Sequence, residues 1–213
     1  MKTISIFLLI ITTLATCACA EETPIKAASP AGFETIRLGM PESELRTARP
    51  EVRPDDFYRS PNYFERLPAD HPSQFRNVTY TLDEPGGRLV QVIFSSSGPL
   101  PEIERRCGAF ISSTVLRLGE PTERRVHIVD RHYVTHSRVE APLLQWSTNG
   151  VIVSATCFAV SDQSSTANFY QLAISTPAAA TKRMGDAKTR ASNAAEQERL
   201  FGRLLERRPD ARR

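Results

Sequence analysis

The chain has one tryptophan, three methionines and four cysteines in 213 residues, and neither sign of charge dominates, with 27 Lys and Arg against 24 Asp and Glu. So few cysteines exclude a disulfide-dense miniature scaffold. The nearly even charge excludes a strongly polyanionic or polycationic chain, and 40% hydrophobic with 24% charged residues excludes a disordered or collagen-like one. No apolar run reaches the about 20 residues that a membrane-spanning helix needs. The common catalytic signatures are absent as well: there is no G-x-S-x-G elbow, no phosphate-binding Walker loop, no H-E-x-x-H and no C-x-x-C. What remains is a chain of ordinary globular composition, expected to be a non-enzyme that uses no cofactor.

Residues 1–20 read as an export signal. Lys2 gives the positive start, residues 4–14 the apolar run, and Thr16-Cys17-Ala18-Cys19-Ala20 the small-residue end. Two processing readings stand open. Ala18-Cys19-Ala20 is an A-x-A site that yields a soluble protein beginning at Glu21; alternatively, the segment resembles a bacterial lipobox with Cys19 as the lipid attachment residue. Residues 21–32, with two prolines and no apolar period, read as a linker. Either route leads to the periplasm, the second with a lipid anchor in the outer membrane as its only membrane contact.

Export changes the reading of the remaining cysteines. Cys107 and Cys157 form the only even pair in the folded part, and in an oxidising compartment they are expected to be bonded. Closing that loop contributes up to roughly 4 kcal/mol in the chain-entropy account.

Hydrophobic periodicity gives the elements. Pro41 followed by Glu42 and Glu44 opens a short helix that Pro50 ends, because proline needs no amide partner in a first turn and the carboxylates complement the helix dipole. Residues 51–73 hold Pro54, Pro61, Pro68 and Pro72 among Phe57, Tyr58, Tyr63 and Phe64. They are expected to form an ordered, irregular segment with at most one short edge strand. Val78, Tyr80 and Leu82 alternate with polar residues, and a Pro-Gly-Gly turn returns the chain into residues 89–95. Ile103, Cys107, Phe110, Ile111, Thr114 and Leu118 recur at the helical period between Pro101 and Gly119. Four strands are expected after it: residues 124–139, long and polar; 143–147; 151–160, joined to its predecessor by Asn149-Gly150; and 169–175. The fold class is therefore α+β, an antiparallel sheet with one long and one short helix packed on one face. The folded domain spans 33–177. Each half pairs a helix with a hairpin, although the residue identities of the halves do not align.

Residues 178–213 change character. Ala and Arg are abundant, and Met184, Ala187, Ala191, Ala194, Phe201 and Leu205 make only a weak stripe broken by Gly185 and Gly202. The segment is expected to be disordered or a marginal helix. Residues 181–213 carry ten basic and five acidic side chains, so the basicity of the whole chain belongs to this tail. Export makes nucleic acid an improper partner for it.

The residues 33–46, Phe33-x-x-Ile36-x-Leu38-Gly39-Met40-Pro41-x-x-x-Leu45-Arg46, resemble the opening of small envelope lipoproteins of the SmpA/OmlA (BamE) type and of the related β-lactamase-inhibitor-like fold, and Leu118-Gly119-x-Pro121 is similar to their helix endings. The resemblance implies a protein-binding module of the cell envelope, with another envelope or secreted protein as partner. An inhibitor or immunity-type protein acting on a secreted enzyme is the alternative.

Few side chains suggest chemistry. His127, His132 and His136 with Asp130 invite a metal reading, but the sequence around them favours strand, where positions i and i+4 lie about 13 Å apart, too far to share one ion. They are read as polar residues on an open sheet face, and no metal site is expected. The adjacent acids Asp55-Asp56 and Asp83-Glu84 read as solvated turn residues. Trp146 is assigned to the edge of the core. Phe57, Tyr58, Tyr63 and Phe64 are the first choice for a binding surface, since aromatics in irregular segments on a rigid scaffold serve that role.

Overall fold

The computed structural model describes residues 28–55, 61–130, 138–148, 150–158, 168–186 and 188–206. Pro41 stands at the N-cap of α1 (Glu42–Ala48), whose first turn carries Glu42 and Glu44 and whose Leu45 is fully buried. The chain then forms β1 (Arg53–Pro54), β2 (Asn62–Arg66), β3 (Asn77–Leu82) and β4 (Leu89–Ser97), a four-strand antiparallel meander. A second helix, α2 (Leu100–Leu118), opens a second meander of β5 (Glu123–Asp130), β6 (Arg138–Thr148), β7 (Val151–Phe158) and β8 (Phe169–Ser175). The last strands of the two meanders, β4 and β8, pair antiparallel at the seam. The two halves thus share one plan, a helix followed by four strands, and make one continuous sheet.

The class is α+β, as the periodicity implied. Alternation along the strands sorts the sheet into two faces. Val78, Tyr80, Val92, Phe94, Leu172, Ile174, Val153, Ala155 and Cys157 share the inner face and one core cluster with Leu45 of α1 and with Ile103, Cys107 and Phe110 of α2. Phe75 and Tyr170 flank Phe110 with ring centroids 5.7 and 5.2 Å away. Cys107 and Cys157 are bonded, with Cα atoms 5.9 Å apart, and tie α2 across the sheet. Trp146 is buried on the inner face.

Four expectations change. The long strand over 124–139 is two strands: β5 ends at Asp130 and β6 begins at Arg138, with those two residues paired. Strand-forming residues continue through the intervening stretch with neither Gly nor Pro, so the sequence carries no sign of the reversal. Within 51–73 there are two strands rather than one, because the prolines flank β2 instead of interrupting it. Pro54 lies in β1, which pairs only with β2, the edge position where a missing amide costs nothing. The linker is docked at its end, where Ala28 is buried and Arg117 donates to the Ser29 carbonyl.

The fourth change concerns the tail, which is neither disordered nor a marginal helix over 177–206. It forms α3 (Pro177–Asp186), β9 (Lys188–Ala191) and α4 (Ala194–Glu206). The sheet order becomes β1-β2-β3-β4-β8-β7-β6-β5-β9. α3 packs on the outer face against β4, β7 and β8, β9 pairs with β5, and α4 lies beside α2 over β5 and β6. The helices are therefore not confined to one face. Tertiary packing overrides the weak stripe: Leu200 and Gln197 are buried, and the Gln197 amide donates to the Ser192 hydroxyl and to the Arg125 carbonyl. Arg190 on β9 joins Glu140 of β6 to Glu196 of α4.

Candidate binding surface

The outer face divides where α3 stops covering it. On the covered half, Leu143 and Gln145 of β6, Thr156 of β7, and Ala173 and Ser175 of β8 are buried. On the open half, Phe64 of β2, Thr79 and Thr81 of β3, and Ile93 and Ser95 of β4 are half-exposed. Register places Phe64, Thr79 and Ile93 side by side in one cross-strand row. Two β-branched residues and an aromatic on a fixed, half-buried row form a surface that costs little side-chain entropy to cover.

The four aromatics proposed as a surface separate. Tyr63 faces inward opposite Tyr80 and is buried; its hydroxyl donates to Glu42 at 2.6 Å, and the Arg46 guanidinium lies 6.0 Å from its ring. It is part of the packing rather than of a surface. Phe64, one position on, takes the opposite face by the strand's two-residue period. Phe57 and Tyr58 lie outside the described residues, as does Cys19.

At the border between the halves lies a cleft of about 430 Å3, between the start of α3 and the β3–β4 hairpin. A bulge shapes it. Thr81 pairs with Gln91 and Leu82 with Leu89, so Val90 is an extra residue. Such a bulge bends its strand and redirects side chains, and Val90 lines the cleft with Thr81 and Gln91. Its carbonyl accepts the Thr176 amide at 2.8 Å, fixing the point from which α3 starts. Gln91 is held by a 2.8 Å bond to the Ser175 hydroxyl. Lys182 and Arg183 of α3 form one wall, and Asn62 and Asp83 stand on the other.

The charged groups near the cleft differ in how they are held. Asp83 Oδ1 accepts the amides of Glu84 and Arg88 at 2.9 and 2.7 Å, which closes the hairpin turn. Arg183 donates to Oε1 of the Gln171 side chain, and burial pushes its guanidinium below the usual arginine range. His127, on the same face of β5, is pushed down by burial and by the Arg183 charge. Elsewhere Glu42 is held below the usual carboxylate range, first by the Tyr63 hydroxyl and also by Arg46 and the Gly86 amide.

His132 and His136 lie outside the described residues, and among the described residues no three His, Cys, Asp or Glu side chains gather as a metal-binding group. Asp55 closes β1 through its amide bond to the Asn62 carbonyl, while Asp56 is outside the described residues. Sequence reasoning missed Arg183 because one arginine among ten basic tail residues carries no distinguishing pattern. Comparison with family models, with curated proteins and with solved structures returns no match.

Proposed function

We propose that this chain is an exported protein of the bacterial envelope, a non-catalytic binding or assembly module that engages another envelope or secreted protein through the open half of its outer sheet face. The observation that carries this reading is the row of Phe64, Thr79 and Ile93, half-exposed on strands whose other face is fully packed. Rigid sheets presenting apolar side chains are economical docking surfaces. The bonded Cys107–Cys157 pair supports export, since such bonds persist in oxidising compartments. The reading includes a soluble periplasmic form or one anchored through lipid at Cys19. The resemblance of residues 33–46 to the envelope lipoproteins agrees with it.

Photo-crosslinking in living cells tests the proposal. A crosslinker at position 64 is expected to trap one partner protein, and Phe64→Glu to abolish the same adduct formed from position 93. A crosslinker at Leu116, exposed on the far side of the molecule on α2, serves as control. Adducts from position 116 with none from 64 or 93 would overturn the assignment of the face.

The alternative, an inhibitor or immunity-type protein for a secreted enzyme, is supported by the plan of two helix-plus-meander halves in one sheet, which agrees with the β-lactamase-inhibitor-like resemblance. The identity of the trapped partner separates the two readings.

A further inference from the structure

Arg183 is a half-buried charge without an opposite charge beside it among the described residues. Its one hydrogen bond goes to the neutral amide of Gln171, and among the described residues no carboxylate pairs with it. Burial alone accounts for its lowered proton affinity, and its basic neighbour His127 is pushed down by it in turn. The partial desolvation of such a cation is offset when an anion pairs with it. The guanidinium has five N–H donors in a planar fork, most of them unused by the single bond to Gln171. It lines the cleft, where Lys182 adds a second cation.

We propose that the cleft between α3 and the β3–β4 hairpin is a binding site for a small oxyanion-bearing molecule, whose carboxylate or phosphate group pairs with Arg183 and Lys182. The cleft's volume of about 430 Å3 suits a molecule of metabolite size. Its single carboxylate, Asp83, already accepts two backbone amides and is directed into its own hairpin turn. Two cations against one occupied carboxylate leave the site positive. Asn62, Thr81 and Gln91 supply neutral hydrogen-bonding groups for the rest of the ligand, and Val90, brought in by the bulge, supplies an apolar contact. This site is distinct from the Phe64 row and does not depend on the protein-binding reading.

The test is calorimetric titration of the purified full chain with citrate and, separately, with inorganic phosphate, at constant ionic strength set by chloride. Saturable binding of one anion per chain is expected, with a rise in melting temperature. Lys182→Gln and Arg183→Gln are each expected to weaken binding about tenfold or more, as loss of a charge-assisted bond does. Arg183→Met, which removes the uncompensated cation, is expected to melt no lower than the parent without ligand and to lose the response to anions. Binding of citrate alone assigns a carboxylate ligand, and binding of phosphate alone a phosphorylated one. Failure of both anions to saturate, or equal binding by Lys182→Gln, which changes only an exposed side chain, would overturn the proposal.

Discussion

The indole Nε1 of Trp146 donates a 2.8 Å hydrogen bond to the carbonyl of Gly119, the residue that ends α2 with φ 78°. The bond joins the long helix of the second half to β6 and satisfies a carbonyl left open at the helix end. Trp146→Phe keeps most of the ring but leaves that carbonyl without its donor, and is expected to cost about 1 kcal/mol. Gly119→Ala tests the same junction from the other side. An added Cβ meets no atom within 4 Å, so its cost of about 1–3 kcal/mol arises from backbone conformation alone. Urea unfolding followed by far-ultraviolet circular dichroism measures both, since the first variant removes the only tryptophan.

Reduction of Cys107–Cys157 should be felt strongly, because the bond closes a separation of 50 residues and both cysteines are fully buried. The double variant Cys107→Ala/Cys157→Ala is expected to lose about 2–4 kcal/mol. Thermal melts with and without reductant check this. Unchanged melting in reductant, with both thiols shown to be free, would contradict it.

Half-buried Arg49 pairs with buried Glu65, whose Oε2 also accepts the Tyr80 hydroxyl at 2.7 Å, and its guanidinium lies 4.4 Å from the Phe33 ring centre. One side chain thereby connects the N-terminal segment, the end of α1, β2 and β3. Arg49→Ala leaves the Glu65 carboxylate without its cation but with the Tyr80 hydroxyl, and is expected to cost about 2–3 kcal/mol. The milder Tyr80→Phe, which removes one hydrogen bond, is expected to cost about 1 kcal/mol. Paired denaturation curves measure the difference.

His127 should make stability fall on the acid side. Its proton affinity in the folded chain lies below the ordinary value of 6.5 because of burial and Arg183. The unfolded chain therefore binds the proton first, and the folded state loses ground as pH drops through and below 6.5. Above that value the residue is neutral in both states and contributes no slope. His127→Gln is expected to flatten the dependence of melting temperature between pH 7 and pH 5, leaving the steeper carboxylate region below it.

Removal of residues 187–213 discriminates the docked tail from a free one. The truncated chain exposes the open edge of β5 and the surface beneath Leu200, and is expected to melt lower and to aggregate on heating. An independent tail would leave the melt unchanged.

Legibility in the sequence followed local signal strength. The alternation of Val78, Tyr80 and Leu82, the helical period ending at Gly119, and the Asn149-Gly150 turn each encode their element within a short window. The cysteine pair was legible because one pairing remains once Cys17 and Cys19 are read as part of an export signal. The tail was not: β9 is a strand only because β5 offers an edge, and α4 is held by α2 and by the Arg190 bridges. The candidate surface was half legible. The aromatic cluster was visible, but the assignment of Tyr63 inward and Phe64 outward depends on the register of β2 with β3, which composition does not encode. The Arg183 cleft depends on a bulge and on a docked helix, and neither leaves a local mark.

The two ends of the sheet have a further consequence. Among the described residues, every strand of five residues or more has neighbours on both sides; the edges are β1, two residues of which one is a proline, and β9, with four residues that include Lys188 and Arg190. Neither presents enough continuous, uncharged backbone to template another chain. The sheet is thereby poorly suited to end-to-end growth, and the segment that supplies β9 covers part of the edge that β5 would otherwise present.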